Sequence, residues 1–259
     1  MKKPKVIAIA NQKGGIGKTT TATTMASMLA ERGFRTLLID ADPQRNSTAT
    51  YGAQSEGEAT LYDVLAAKER ISLSEAVQHT SFGDIVASDK LMRDADVIFL
   101  QDASNGIYRL QDAITANEDK YDYILIDTNP TIDRIMLNAL VAADEVIIPI
   151  SATMYGFMGL ADLIETIREI QKRPNPSLKI KGILIVAYKA QTIFARDVRK
   201  ELAEAAQQIG TRLFETCIHE SIKVPESQAK MIPLGLYAPG CTPAKDYQKF
   251  IDEYLSMKE

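Results

Sequence analysis

The chain has 259 residues, 46% of them apolar and 25% charged, with a net charge of −4. That length supports a sizeable buried core in one large α/β domain, and the charge balance excludes a chain coated in basic residues while leaving room for a local basic patch. Two distant cysteines, Cys217 and Cys241, exclude a C-x-x-C metal or redox pair, and the apolar run behind the basic first five residues is too short for a signal-peptide core; a cytoplasmic protein is expected.

In chain order, a strand is predicted over residues 6–10, then a glycine loop, then a helix from Lys18 to about Arg32 that Gly33 ends. A second strand covers 36–40. Residues 42–59 are rich in Gln, Ser, Thr and Gly and are expected to form a mobile loop. Residues 61–116 suggest short helices around one weak strand near 85–87. Apolar strands follow at 123–127 and 145–150, then a helix over about 159–172 that Pro174 and Pro176 end. A strand at 180–186, a helix over about 195–209 and a last helix over about 244–257 complete the chain. Near-continuous apolar strands between helices imply a doubly wound, mostly parallel sheet with helices on both faces. No repeat, low-complexity tract or linker is apparent. A single domain over 1–259 is expected, with no additional N-terminal DNA-binding domain.

Three motifs carry chemistry. The first runs Lys13, Gly14, Gly15, Ile16, Gly17, Lys18, Thr19, Thr20 between a strand and a helix, the context of a phosphate-binding P-loop. Its glycines let backbone N–H groups approach a phosphate, and the helix N-terminus adds to the anion site. Lys18 is suited to the β and γ phosphates, and Thr19 to Mg²⁺. The loop departs from G-x-x-x-x-G-K-[ST]: Gln12 stands at its first position, and Lys13 adds a second cation whose repulsion with Lys18 an intervening anion would relieve. The second motif ends a strand at Asp40 and places Asp42 in the loop before Pro43. Ligands gather at the carboxyl ends of parallel strands, so Asp40 suits the metal shell and Asp42 the attacking water. Taken alone, Asp42 would serve as a turn cap before proline. The third motif is an apolar strand ending in Asp127, the Walker B pattern of a carboxylate for Mg²⁺. No arginine finger is marked, and Lys13 is the candidate for that role from a neighbouring subunit.

From Asn11 to Thr21, from Leu38 to Gln44 with Asn46, from Tyr121 to Asp127, and at Val224, Pro225 and Glu226, the chain resembles the ParA/MinD superfamily of deviant Walker A ATPases. Within it the chain is similar to ParA/Soj-type DNA-segregation ATPases. A looser likeness covers residues 155–167. The resemblance implies that Lys13 contacts nucleotide across an ATP-bound homodimer, that Lys18 is the P-loop lysine, Thr19 the Mg²⁺ ligand and Asp42 the hydrolytic aspartate. It implies that the segment at Lys223, Val224, Pro225 and Glu226 lies near the adenine. It further implies ATP and Mg²⁺ as cofactors, non-specific binding of double-stranded DNA in the ATP state, nucleoid association, and a ParB-like partner that stimulates a weak hydrolysis. Arg45 stands where the family has glycine, Asn129 where it has proline, and Ser151, Ala152 and Thr153 also depart.

For DNA, the candidate contacts are Lys189, Arg196, Arg199, Lys200, Lys223 and Lys230; Lys181 and Lys245 also contribute to the basic count. A few such cations on a dimer surface suffice for salt-sensitive phosphate binding. Charge runs are more often solvated helix faces, with pairs such as Lys200 and Glu204; the resemblance favours DNA. The alternative is a MinD-like or protein-cargo-positioning ATPase at a membrane or protein cluster. The last helix, apolar on one face but more acidic than basic, argues against membrane binding. Cys217 and Cys241 do not suit a cluster carrier, and His79 and His219 read as structural or surface residues.

Overall fold

The structure, a computed structural model, describes residues 3–102, 105–117, 120–152, 159–189, 191 and 193–257. The chain opens with β1 (Lys5–Ile9), α1 (Lys18–Glu31) and β2 (Thr36–Asp40). Next come α2 (Asn46–Thr50), α3 (Leu61–Leu65), β3 (Val77–Thr80), β4 (Gly83–Val86), α4 (Met92–Gln101) and α5 (Arg109–Thr115). The second half holds β5 (Tyr123–Asp127), α6 (Arg134–Ala142), β6 (Glu145–Ser151), α7 (Leu160–Lys172), β7 (Lys179–Val186) and α8 (Ile193–Gln208). It ends with α9 (Lys223–Lys230), α10 (Leu234–Tyr237) and α11 (Thr242–Ser256).

One seven-stranded sheet runs in the order β3-β4-β2-β5-β1-β6-β7. Every neighbouring pair is parallel except β3 with β4. Alternation along the strands divides the core between two faces. Val6 and Ala8 of β1 and Leu37 and Ile39 of β2 face the layer that includes α6, α7 and α8; Ile7, Ile9 and Leu38 face α1 and α11. The expected doubly wound, mostly parallel sheet is therefore present. The sheet grows outward from β1 in both directions, and the crevice for a ligand opens at the carboxyl ends of the strands beside it.

The elements differ from the sequence reading in specific places. Residues 42–59 are not all loop: α2 forms there, with Ser47 and Thr48 buried. Its Asn-Ser-Thr-Ala-Thr run has low helix propensity. Hydrogen bonds from both hydroxyls to distant carboxylates hold it in place. The weak strand begins at Gly83 and pairs with the unanticipated β3, whose only half-buried residues give little apolar signal. The helix α6 was also not anticipated; Asp133 caps it by accepting the Met136 N–H at 2.9 Å, and Asn129 donates to the other oxygen of that cap. Pro225 sits in the first turn of α9, where a missing N–H breaks no helical bond. The 155–167 likeness lies partly outside the described residues.

Candidate nucleotide-binding site

The loop between β1 and α1 is tied down at its entrance: Asn11 donates to the Pro149 carbonyl at 2.8 Å and accepts the Lys13 N–H at 3.1 Å. Gly17 caps α1 in a left-handed conformation, φ 83°, that glycine adopts without steric cost, and no side chain caps the first turn. Its leading N–H groups are thus oriented for an anion. Lys18 is 7% exposed and donates to the Lys13 carbonyl at 3.0 Å. Burial lowers its pKa, against the opposing pull of the Asp127 and Asp42 charges.

Asp40 and Asp127 end adjacent strands in direct register, and both are fully buried. Asp40 accepts the Thr48 N–H and hydroxyl, each at 2.7 Å, and the Asp42 N–H at 3.1 Å. Asp127 accepts the Ser47 hydroxyl at 2.8 Å, and the Thr19 side chain lies near enough to lower its pKa. Burial raises both pKa values; the Asp127 charge adds to the rise at Asp40, and the Asp42 charge to that at Asp127. Asp127 Oδ1 is buried with no partner among the described residues. A buried carboxylate oxygen without a donor is costly, and a hard cation or its water shell beside Thr19 would satisfy it. No cluster of three metal-ligating His, Cys, Asp or Glu side chains occurs among the described residues. The donor set therefore fits Mg²⁺ shared with substrate oxygens rather than a closed protein cage.

Two cavities flank the loop. The phosphate-side cavity, about 520 Å³, is lined by Lys18, Thr19, Asp42, Gln44 and Asn46. Asp42 accepts the Gln44 N–H at 2.9 Å, so it both shapes the turn and lines the cavity. The other, about 570 Å³, is lined by Gly15, Ile16, Val186, His219, Val224 and Pro225 among others. Thr20 borders both, joined to Gln228 of α9 at 2.9 Å. Glu226 does not line this cavity; its carboxylate pairs with Lys223 at 2.7 Å and accepts from the Tyr237 hydroxyl.

The structure thus brings Gly14, Gly15, Gly17, Lys18, Thr19, Thr20, Asp40, Asp42 and Asp127 together at one crevice, with Val224 and Pro225 alongside. It does not gather every basic candidate into one set. Arg196 and Lys200 are exposed on α8, opposite the buried Ala195, Val198 and Leu202. Arg199 donates to the Glu215 carbonyl, Lys189 pairs with Glu220 at 3.0 Å, and Lys230 is exposed at the end of α9. Lys181 is half-buried in an ion pair with Glu145 at 3.0 Å and leaves the surface set. Ser47, Thr48 and Gln228 were missed as site residues; the paired hydroxyls after Asp42 were the available signal for the first two.

A family model described as an AAA domain matches residues 4–180. The chromosome partitioning protein ParA of Caulobacter vibrioides is 34% identical over 258 residues, covering 98% of this chain and 95% of the relative. The chain belongs to the ParA/Soj family of partitioning ATPases. Among solved structures, an ATP complex of McdA from Cyanothece matches with a TM-score of 0.88 at 25% identity, covering 100% of this chain and 99% of that one. A cobyrinic acid a,c-diamide synthase from Mycobacterium smegmatis with bound ATP analog and magnesium matches with a TM-score of 0.84 at 27% identity, covering 96% and 93%. In the stretch after Asp42, Arg45 holds a left-handed backbone, φ 62°. No helix among the described residues is long and apolar enough to cross a membrane.

Proposed function

We propose that this ParA/Soj family member is an ATP-driven switch: it dimerises around ATP, holds double-stranded DNA without sequence preference in that state, and segregates or positions a DNA cargo until a ParB-like partner stimulates hydrolysis. The observation that carries this reading is the convergence of Lys18, Thr19 and Asp42 with the Asp40 and Asp127 carboxylates at one crevice. Lys18 and the loop N–H groups bind and orient the phosphates. Asp42 lines the same cavity and orients the attacking water. Mg²⁺, held through Thr19 and Asp127, supplies charge neutralisation. Lys13 reaches the nucleotide of the second protomer, which makes assembly and nucleotide state one event. The exposed Arg196 and Lys200 on α8 support phosphate-backbone binding.

Lys18→Ala abolishes productive ATP binding. Asp42→Ala binds ATP, dimerises and stays on DNA while hydrolysis falls about a hundredfold; a wild-type rate would remove Asp42 from its role. Retention on non-specific duplex is measured with ATP and with ADP across a salt series. Absence of ATP-dependent retention at low salt refutes the DNA reading, and liposome sedimentation then separates a membrane role from protein positioning.

A further inference from the structure

The cavity on the far side of the loop from Asp42 holds a polar arrangement that the phosphate chemistry does not use. His219 lines this cavity and is not among the residues lining the phosphate-side one. Its backbone is fastened to the end of β7: Tyr188 N–H donates to the Ile218 carbonyl at 2.9 Å and Glu220 N–H to the Tyr188 carbonyl at 3.2 Å. The Tyr188 ring meets the imidazole edge to face, 5.8 Å between centroids. Asp246 of α11, 5% exposed, takes two hydrogen bonds on one oxygen, from His219 N–H at 3.0 Å and with Nδ1 at 2.8 Å. In the neutral tautomer that directs Nδ1–H at that carboxylate, Nε2 is an acceptor. With Nδ1 so engaged, the side chain remains 39% exposed. Val186, Ile218, Val224 and Pro225 supply apolar wall, Glu220, Ser221 and Gln228 further polar groups, and fixed polar groups in such a cavity set orientation and specificity.

We infer that His219, positioned by Asp246, is a specificity-determining residue that accepts a hydrogen bond from a donor group of the bound nucleoside. The inference rests on the reading of this chain as an ATP-binding protein, with the nucleoside on this side of the loop. Two nucleoside groups offer the required donor, the 6-amino group of adenine and a ribose hydroxyl. A site built to accept from such a donor discriminates against an analogue that lacks it.

Equilibrium binding of ATP, inosine triphosphate and 2′-deoxyadenosine triphosphate to the full chain tests this. Wild-type protein binds ATP about tenfold more tightly than one analogue: the inosine compound if the base is read, the deoxy compound if the ribose is read. His219→Ala closes that gap by weakening ATP rather than by strengthening the analogue. Asp246→Ala does the same with the imidazole still present, and Asp246→Asn, which keeps an acceptor oxygen for both N–H groups, restores it; melting curves confirm that each variant is folded. If the wild type shows no gap, or His219→Ala leaves it intact, the inference is overturned while ATP binding stands. If the wild type binds no ATP, the functional reading falls and the inference with it.

Discussion

Arg45 holds a backbone conformation, φ 62° and ψ 32°, in which a Cβ crowds the following carbonyl. Replacing it with glycine relieves that crowding but increases the freedom of the unfolded chain. The strain is the larger effect at a left-handed position, so Arg45→Gly is expected to stabilise the protein by about 0.5–1 kcal/mol. A rise in the urea midpoint with unchanged m-value checks this; a fall shows that the Arg45 side chain contributes more than its backbone costs. At this scale the P-loop was legible because its roles follow from consecutive residues. Gln228 was not, since its bond to Thr20 joins positions 208 apart in sequence. His219 gave no spacing signal, because Asp246, 27 residues away, is brought to it by packing.

The element that couples the site to its surroundings is α2. Thr48 donates its hydroxyl to Asp40 and accepts the Ser88 N–H at 2.9 Å, so one side chain links β2 to the end of β4. Thr48→Val leaves the buried Ser88 N–H unpaired and takes a donor from Asp40; a loss of about 1–3 kcal/mol is expected in chemical denaturation. Asp40 and Asp127, brought together by β2 and β5, predict a pH effect. Burial raises both pKa values above those of the unfolded chain, so folding takes up protons. Stability of the metal-free protein is therefore fully present below the ordinary carboxylate range near pH 4 and is lost as pH rises through the elevated values. Denaturation between about pH 5 and pH 8 is expected to show the fall, and Asp40→Asn to flatten it; an unchanged slope in the variant would locate the effect elsewhere. The strands bearing these acids were readable as apolar runs ending in Asp. The helix α2 and the strand β3 were not, because tertiary hydrogen bonds and pairing, rather than local propensity, hold them.

Across the whole molecule, the nucleotide crevice and a partly buried charge cluster occupy opposite ends of the sheet. At the amino end of β6, Glu145 takes the Lys181 ammonium on one oxygen and the Tyr254 hydroxyl, at 2.8 Å, on the other, joining β6, β7 and α11. Lys181→Met strands a buried carboxylate and is expected to cost about 3–5 kcal/mol, whereas adding Glu145→Gln recovers much of that loss. A double-mutant cycle by thermal melting measures the difference, and additive losses would show that the two groups act independently. Fold class was legible at this scale because parallel, doubly covered strands leave an apolar record. The antiparallel β3 left almost none, and it has a consequence for solution behaviour. A sheet whose last strand is short and carries Gln78 and His79 offers a poor template for another chain's backbone. Backbone pairing with another chain is therefore disfavoured at this border, and any fibre-like growth by strand addition would have to start from the opposite edge of the sheet.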